Sequence, residues 1–155
     1  MSACPIRDFL AGTGRDGRGR TLDAVLGFDD GRLEAVHDYI QWLFPLPEAS
    51  RAVPGAPVLG PGEAEAIRAD PAARAGLARA LARMTRFYEA TGAWLVPFDH
   101  NHLRITRILA ATRSLLGADV ARTFHGRVTA RNAAAGSPIN RDSRRYWDRA
   151  LQGDE

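Results

Sequence analysis

The sequence predicts an all-α fold, one compact helical domain of about six to seven helices spanning residues 1–155. Apolar residues recur three and four positions apart in every long segment, which is the period of one helix face. No segment alternates apolar and polar residues as a half-buried strand does. Proline and glycine concentrate between the periodic segments rather than inside them.

The elements follow in order. Ile6 to Leu10 is a short apolar word, and Gly12 to Arg20 (GTGRDGRGR) reads as a loop. Thr21 is a plausible N-cap for a short helix reaching Phe28, because its hydroxyl can accept from a first-turn amide. After Asp29, Asp30 and Gly31, a longer helix is expected from about Leu33 to Phe44, with Leu33, Val36, Ile40, Leu43 and Phe44 on one stripe. His37 and Gln41 flank that stripe, Trp42 lies on the far side and is expected to be buried, and Pro45 and Pro47 end the helix. Residues 50–62, carrying Pro54, Pro57 and Pro61, read as an irregular connector.

Asp70 before Pro71 is an N-cap followed by proline in the first turn. From there Leu77, Leu81, Met84, Phe87 and Tyr88 mark a helix that stops at Gly92. Trp94 to Phe98 is an extended apolar word broken by Pro97. Asn101 is expected to cap the next helix, which runs to Gly117 with Ile105, Ile108, Leu109, Thr112, Leu115 and Leu116 on its core stripe. Two further helices cover about 118–132, with Val120, Phe124 and Val128 in step, and about 140–151, holding Tyr146 and Trp147.

Composition bounds the function. At 155 residues, 45% hydrophobic and 25% charged, the chain has the make-up of an ordinary globular domain. No run approaches the roughly 18 apolar residues of a membrane span, and the N-terminus lacks the apolar core of a signal peptide. Cys4 is alone, so no intramolecular disulfide forms. These features together point to the cytoplasm. All 21 basic residues are arginine, a composition typical of a GC-rich bacterial genome. Residues 1–99 hold 11 Arg against 13 acids, whereas residues 100–155 hold 10 Arg against 5. The basic last third suits an anionic partner, but helix-turn-helix, zinc-finger and RNA-binding words are absent, so no specific nucleic-acid reader is expected. Nucleophile-elbow, phosphate-loop and dinucleotide words are absent too.

Two words stand out, His37–Pro45 (HDYIQWLFP) and His100–Leu109 (HNHLRITRIL). Together with Asp16, Gly17, Arg18, Ser50, Pro57, Leu59, Phe87-Tyr88 and Tyr146-Trp147, they resemble the conserved domain of the opioid growth factor receptor family over residues 8 to 150. The vertebrate members are described as nuclear-associated receptors for the pentapeptide met-enkephalin. The resemblance therefore implies a helical binding domain, and it does not name this chain's ligand.

The residues of the two words suggest two chemistries. In the first, His37, Gln41, Trp42, Asn101, His102, Arg104 and Arg107 line a polar pocket for a small anionic molecule or peptide, with a carboxylate held by arginine forks. Arg104 and Arg107 are three apart near a helix start, so they can share one anion. In the second, His37, His100 and His102 form the centre of a small metal-assisted enzyme. The two side chains of His-x-His splay about 200° apart on a helix, which argues against joint ligation. Histidines hydrogen-bonded by Gln41, Asn101 or a backbone carbonyl explain the same residues, so neither metal nor cofactor is expected.

Overall fold

The computed structural model describes residues 3–153. Among the described residues there are nine helices and no strand. They are α1 (Pro5–Leu10), α2 (Leu22–Leu26), α3 (Asp30–Ala35), α4 (Ile40–Leu43), α5 (Pro61–Ala69), α6 (Pro71–Ala90), α7 (His100–Leu115), α8 (Ala118–Ala134) and α9 (Arg141–Gln152). The all-α expectation therefore holds, with more and shorter helices. The chain divides into two compact units, Met1–Ala80 and Leu81–Glu155.

In the first unit, α1 packs against α4 and α5. Helix α1 has no side-chain cap of its own. Glu63 of α5 supplies one, its Oε2 accepting from the amides of Ile6 at 2.7 Å and Arg7 at 3.0 Å. Thr21 caps α2 as expected, accepting from Ala24 N, although the helix ends at Leu26 rather than Phe28. Asp29 does not merely punctuate the chain, because it caps α3 by accepting from Arg32 N.

The helix expected from Leu33 to Phe44 is two helices. Val36 is extended (φ −90°, ψ 132°), and the chain resumes helical form only at Ile40. Two side chains hold the break. The Tyr39 hydroxyl donates to the Leu33 carbonyl at 2.6 Å, the acceptor that a continuous helix would have offered to its own backbone. Asp38 turns toward the 12–20 loop, where its carboxylate accepts from Arg20 at 2.9 Å and Arg18 at 2.8 Å. The stripe through Val36 consequently does not exist, and Val36 is only half-buried.

That loop is organised around Asp16, whose side chain is fully buried. Its carboxylate accepts from the amides of Arg18 and Arg20, both at 2.9 Å, and from Arg20 Nε at 2.7 Å. Arg20 thus bridges two carboxylates while its guanidinium lies 5.8 Å from the Phe28 ring centre. Burial alone would push Asp38 up, but the hydrogen bonds from Arg20 and Arg18 outweigh it and hold the carboxyl below its ordinary 3.8. Burial likewise works against the Arg20 cation, and the bonds to Asp16 and Asp38 overcome it and raise Arg20 above its usual value.

Helix α5 was not foreseen, because residues 50–62 read as irregular and its nine residues bury only Ala64 and Ile67. Asp70 caps α6 through Ala72 N, as the sequence suggested. Early in α6, Gly76 lies against the end of α1, and a Cβ there would sit 1.7 Å from the Leu10 carbonyl oxygen. Only glycine allows that approach.

In the second unit, α7, α8 and α9 pack against one another. Tyr88 is the centre of an edge-to-face aromatic cluster with Phe87, Trp94 and Phe124, at centroid distances of 5.0, 5.1 and 6.3 Å. Arg131 of α8 closes the end of α6, donating to the carbonyls of Tyr88 at 3.3 Å and Thr91 at 2.7 Å. Phe124 and Val128 are buried as expected, whereas Val120 is exposed. No helix of the described residues is long and apolar enough to cross a membrane.

Two expected outcomes test this packing. Gly76→Ala should destabilise the protein by about 3 kcal/mol or more in denaturant unfolding, since the clash is with backbone. Near-native stability would contradict the close approach. Arg20→Ala strips a buried carboxylate of its cation, and its cost should be about 3–5 kcal/mol. The contribution of Asp38 should be full above its ordinary pKa of 3.8 and should be lost as pH falls below that value. An Arg20→Ala variant should therefore unfold with a weaker acid dependence below pH ~4 than the native chain.

Candidate functional site

The loop between α6 and α7 sets the geometry of the site. The chain between α6 and α7 is a run of turns and bends rather than the extended segment expected from Trp94 to Phe98, with Leu95 N donating to the Gly92 carbonyl at 3.0 Å, and Pro97 disfavours an earlier helix start. Asp99, not Asn101, is the N-cap of α7: its Oδ2 accepts from Asn101 N and from Asn101 Nδ2, both at 2.9 Å. Asn101 is instead fully buried inside the first turn, where its Oδ1 accepts from the Tyr88 hydroxyl at 3.1 Å. Its Oδ1 also lies 3.5 Å from Nη1 of the buried Arg104.

Helix α9 starts beside this loop. Asn140 caps it by accepting from Ser143 N at 2.8 Å. The same residue grips the loop, with its backbone N 3.2 Å and its Nδ2 2.6 Å from the Pro97 carbonyl. Its Nδ2 also donates to Ser143 Oγ at 2.9 Å.

His102 lies between these parts and is 3% exposed. Its Nε2 is 2.8 Å from the Trp94 carbonyl oxygen, and its Nδ1 is 3.5 Å from Ser143 Oγ. A carbonyl only accepts, so in the neutral ring the proton sits on Nε2 and Nδ1 carries the lone pair. The buried Trp147 fixes the ring further, meeting it edge-on at 6.0 Å and donating its Nε1 to the His102 carbonyl at 3.0 Å.

These residues line an open cleft of about 480 Å³ bounded by Phe98, Asp99, His100, His102, Leu103, Asn140 and Ser143. Its rim is apolar: Phe98 is 80% and Leu103 69% exposed. Its floor is polar. His100, expected to act with His102, points differently, being exposed with Nδ1 3.9 Å from Asp99 Oδ1.

Of the residues singled out in the sequence, His102 lines this cleft. Asn101 and Arg104 are buried behind it in the same helix, and Arg107 is half-buried. In the first unit, His37 is exposed and Gln41 is buried with an Oε1 that accepts no hydrogen bond. Trp42 is half-buried rather than buried, edge-on to Phe9 at 5.6 Å. The histidine metal centre is corrected: among the described residues no three His, Cys, Asp or Glu side chains form a group able to hold a metal. Both ring nitrogens of His102 face protein partners instead.

Sequence reasoning missed Asn140 and Ser143. Their signal is the Asn-x-x-Ser spacing at the start of α9, a side-chain cap placed before a helix.

The second unit thus combines a clamped loop with an open cleft beside the starts of α7 and α9. Residues 26–93 match the opioid growth factor receptor (OGFr) conserved region, and over this segment the chain is similar to that family. The match contains HDYIQWLFP and ends before HNHLRITRIL. No curated protein and no solved structure matches the chain.

Asn140→Ala should cost about 2 kcal/mol, since it removes a cap and frees the loop. Amide exchange should then accelerate at residues 98–103. Unchanged protection there would show that the clamp does not hold the cleft.

Proposed function

We propose that the chain is a helical ligand- or peptide-binding module of the opioid growth factor receptor conserved-region type, with the cleft over α7 and α9 as its ligand site. The observation that carries this reading is the pairing of an exposed apolar rim, Phe98 and Leu103, with a polar floor held rigid by hydrogen bonds. Bulky side chains this exposed are costly in water, and a ligand with one apolar group would cover them.

A small carboxylate-bearing ligand fits the other half of the site. The first-turn amides of α9 lack intrahelical acceptors, and the helix dipole favours negative charge there. The Asp99 carboxylate is engaged as the α7 cap, accepting from Asn101 N and Nδ2. His100 adds a further donor at the mouth.

Phenylacetate, which combines one aromatic group with one carboxylate, is a suitable probe. Titrated into labelled protein, it should shift the amide resonances of His100, Leu103 and Ser143 saturably. Leu103→Glu should abolish the effect while leaving the melting temperature unchanged, since Leu103 is exposed. Shifts confined to residues 37–42, or none at all, would overturn this assignment.

A further inference from the structure

Resting on the reading of this cleft as the ligand site, we propose that Ser143 is an acyl-accepting nucleophile and that the cleft hydrolyses small esters of apolar carboxylic acids. The binding reading requires only a rim and a floor. It does not explain why a buried histidine presents an unprotonated nitrogen to a serine in the cleft.

Three hydrogen bonds make the case. The Trp94 carbonyl accepts from His102 Nε2 and so leaves Nδ1 as the basic atom. Asn140 Nδ2 donates into Ser143 Oγ, which occupies a lone pair of the hydroxyl and leaves its proton to be given elsewhere. The acceptor in reach is His102 Nδ1 at 3.5 Å. Nucleophile, base and a third group orienting the base are the parts of an activated serine, and such contacts commonly tighten only when substrate binds. Here the orienting group is a carbonyl rather than a carboxylate, and the base uses Nδ1.

Exposure is divided in the required way. Ser143 is half-buried and His102 is buried, and both line the cleft. In the first step Ser143 Oγ bonds to the acyl carbon, the carbonyl π pair moves to oxygen, and the hydroxyl proton passes to Nδ1. The tetrahedral species collapses with rupture of the bond to the alcohol oxygen, which takes the proton from Nδ1. Water then repeats the sequence on the acyl-serine, releasing the carboxylic acid and restoring the hydroxyl. The carboxylate product is the ligand class proposed for the cleft. The first-turn amides of Arg141 and Asp142 are the donors nearest in sequence for the developing oxyanion. A carbonyl steadies the imidazolium less than a carboxylate does, so turnover is slow and trapping reports on it better than rate.

The test uses the whole chain with a fluorophosphonate probe and with p-nitrophenyl butyrate, read by intact mass and by release of p-nitrophenol. The absence of lysine keeps background acylation low. One adduct per chain at Ser143 is expected. Ser143→Ala, checked for native circular dichroism, should lose the adduct and slow ester cleavage by about 100-fold. Ser143→Cys should restore an acylatable atom at the same place. Labelling that persists in Ser143→Ala would overturn the proposal. So would a native chain that shows phenylacetate shifts but takes no label, an outcome that leaves the binding reading standing. A chain that neither binds phenylacetate nor takes label would overturn both.

Discussion

The hydrogen bond between His102 and the Trp94 carbonyl is the constraint on which the second unit depends. It joins the first turn of α7 to the chain that precedes the helix, and it sets the ring's tautomer. Around it Trp147 donates to the His102 backbone, Asn101 accepts from Tyr88, and Asp99 caps the helix. Each bond contributes only about 1 kcal/mol net, yet a buried polar group left without a partner costs about 1–3 kcal/mol. Such a network is stable when complete and expensive when broken, so the start of α7 is rigid although it borders solvent.

The first unit solves a similar problem with charge. Its loop of glycines and arginines has no apolar side chain to bury, and Asp16 supplies the centre by gathering two amides and Arg20. Arg20 then reaches Asp38 and thereby fixes the break between α3 and α4. The segment matching the opioid growth factor receptor conserved region contains Asp38 and this break, while the cleft over α7 and α9 lies beyond it. The similarity to that family and the proposed ligand site therefore rest on different stretches of the chain, each argued from its own residues.

Long helices were legible because period and caps agree: Asp70 with Pro71, and the apolar steps from Leu77 to Tyr88, predicted α6 closely. The break at Val36–Tyr39 was not legible, since its cause lies some twenty residues away in Arg18 and Arg20. Helices α1 and α5 were too short to show a period, and α1 borrows its cap from Glu63. In the site, the 200° splay of His-x-His correctly separated an outward His100 from an inward His102. Asn101 looked like a cap by type, but the preceding Asp99 takes that place and leaves Asn101 to the interior. The pairing of His102 with Ser143 spans 41 residues and depends on how α7 meets α9, which no local pattern encodes.

The state of the His102 ring is the most direct measure of this account. In protein labelled with nitrogen-15 histidine, long-range nitrogen–proton correlations distinguish the two neutral tautomers. With the ring neutral, the proton is expected on Nε2, with Nδ1 showing the shift of an unprotonated nitrogen that accepts a hydrogen bond. A proton found on Nδ1 would mean that the Trp94 carbonyl does not hold the ring, and it would contradict both the rigid cleft and the basic atom placed beside Ser143.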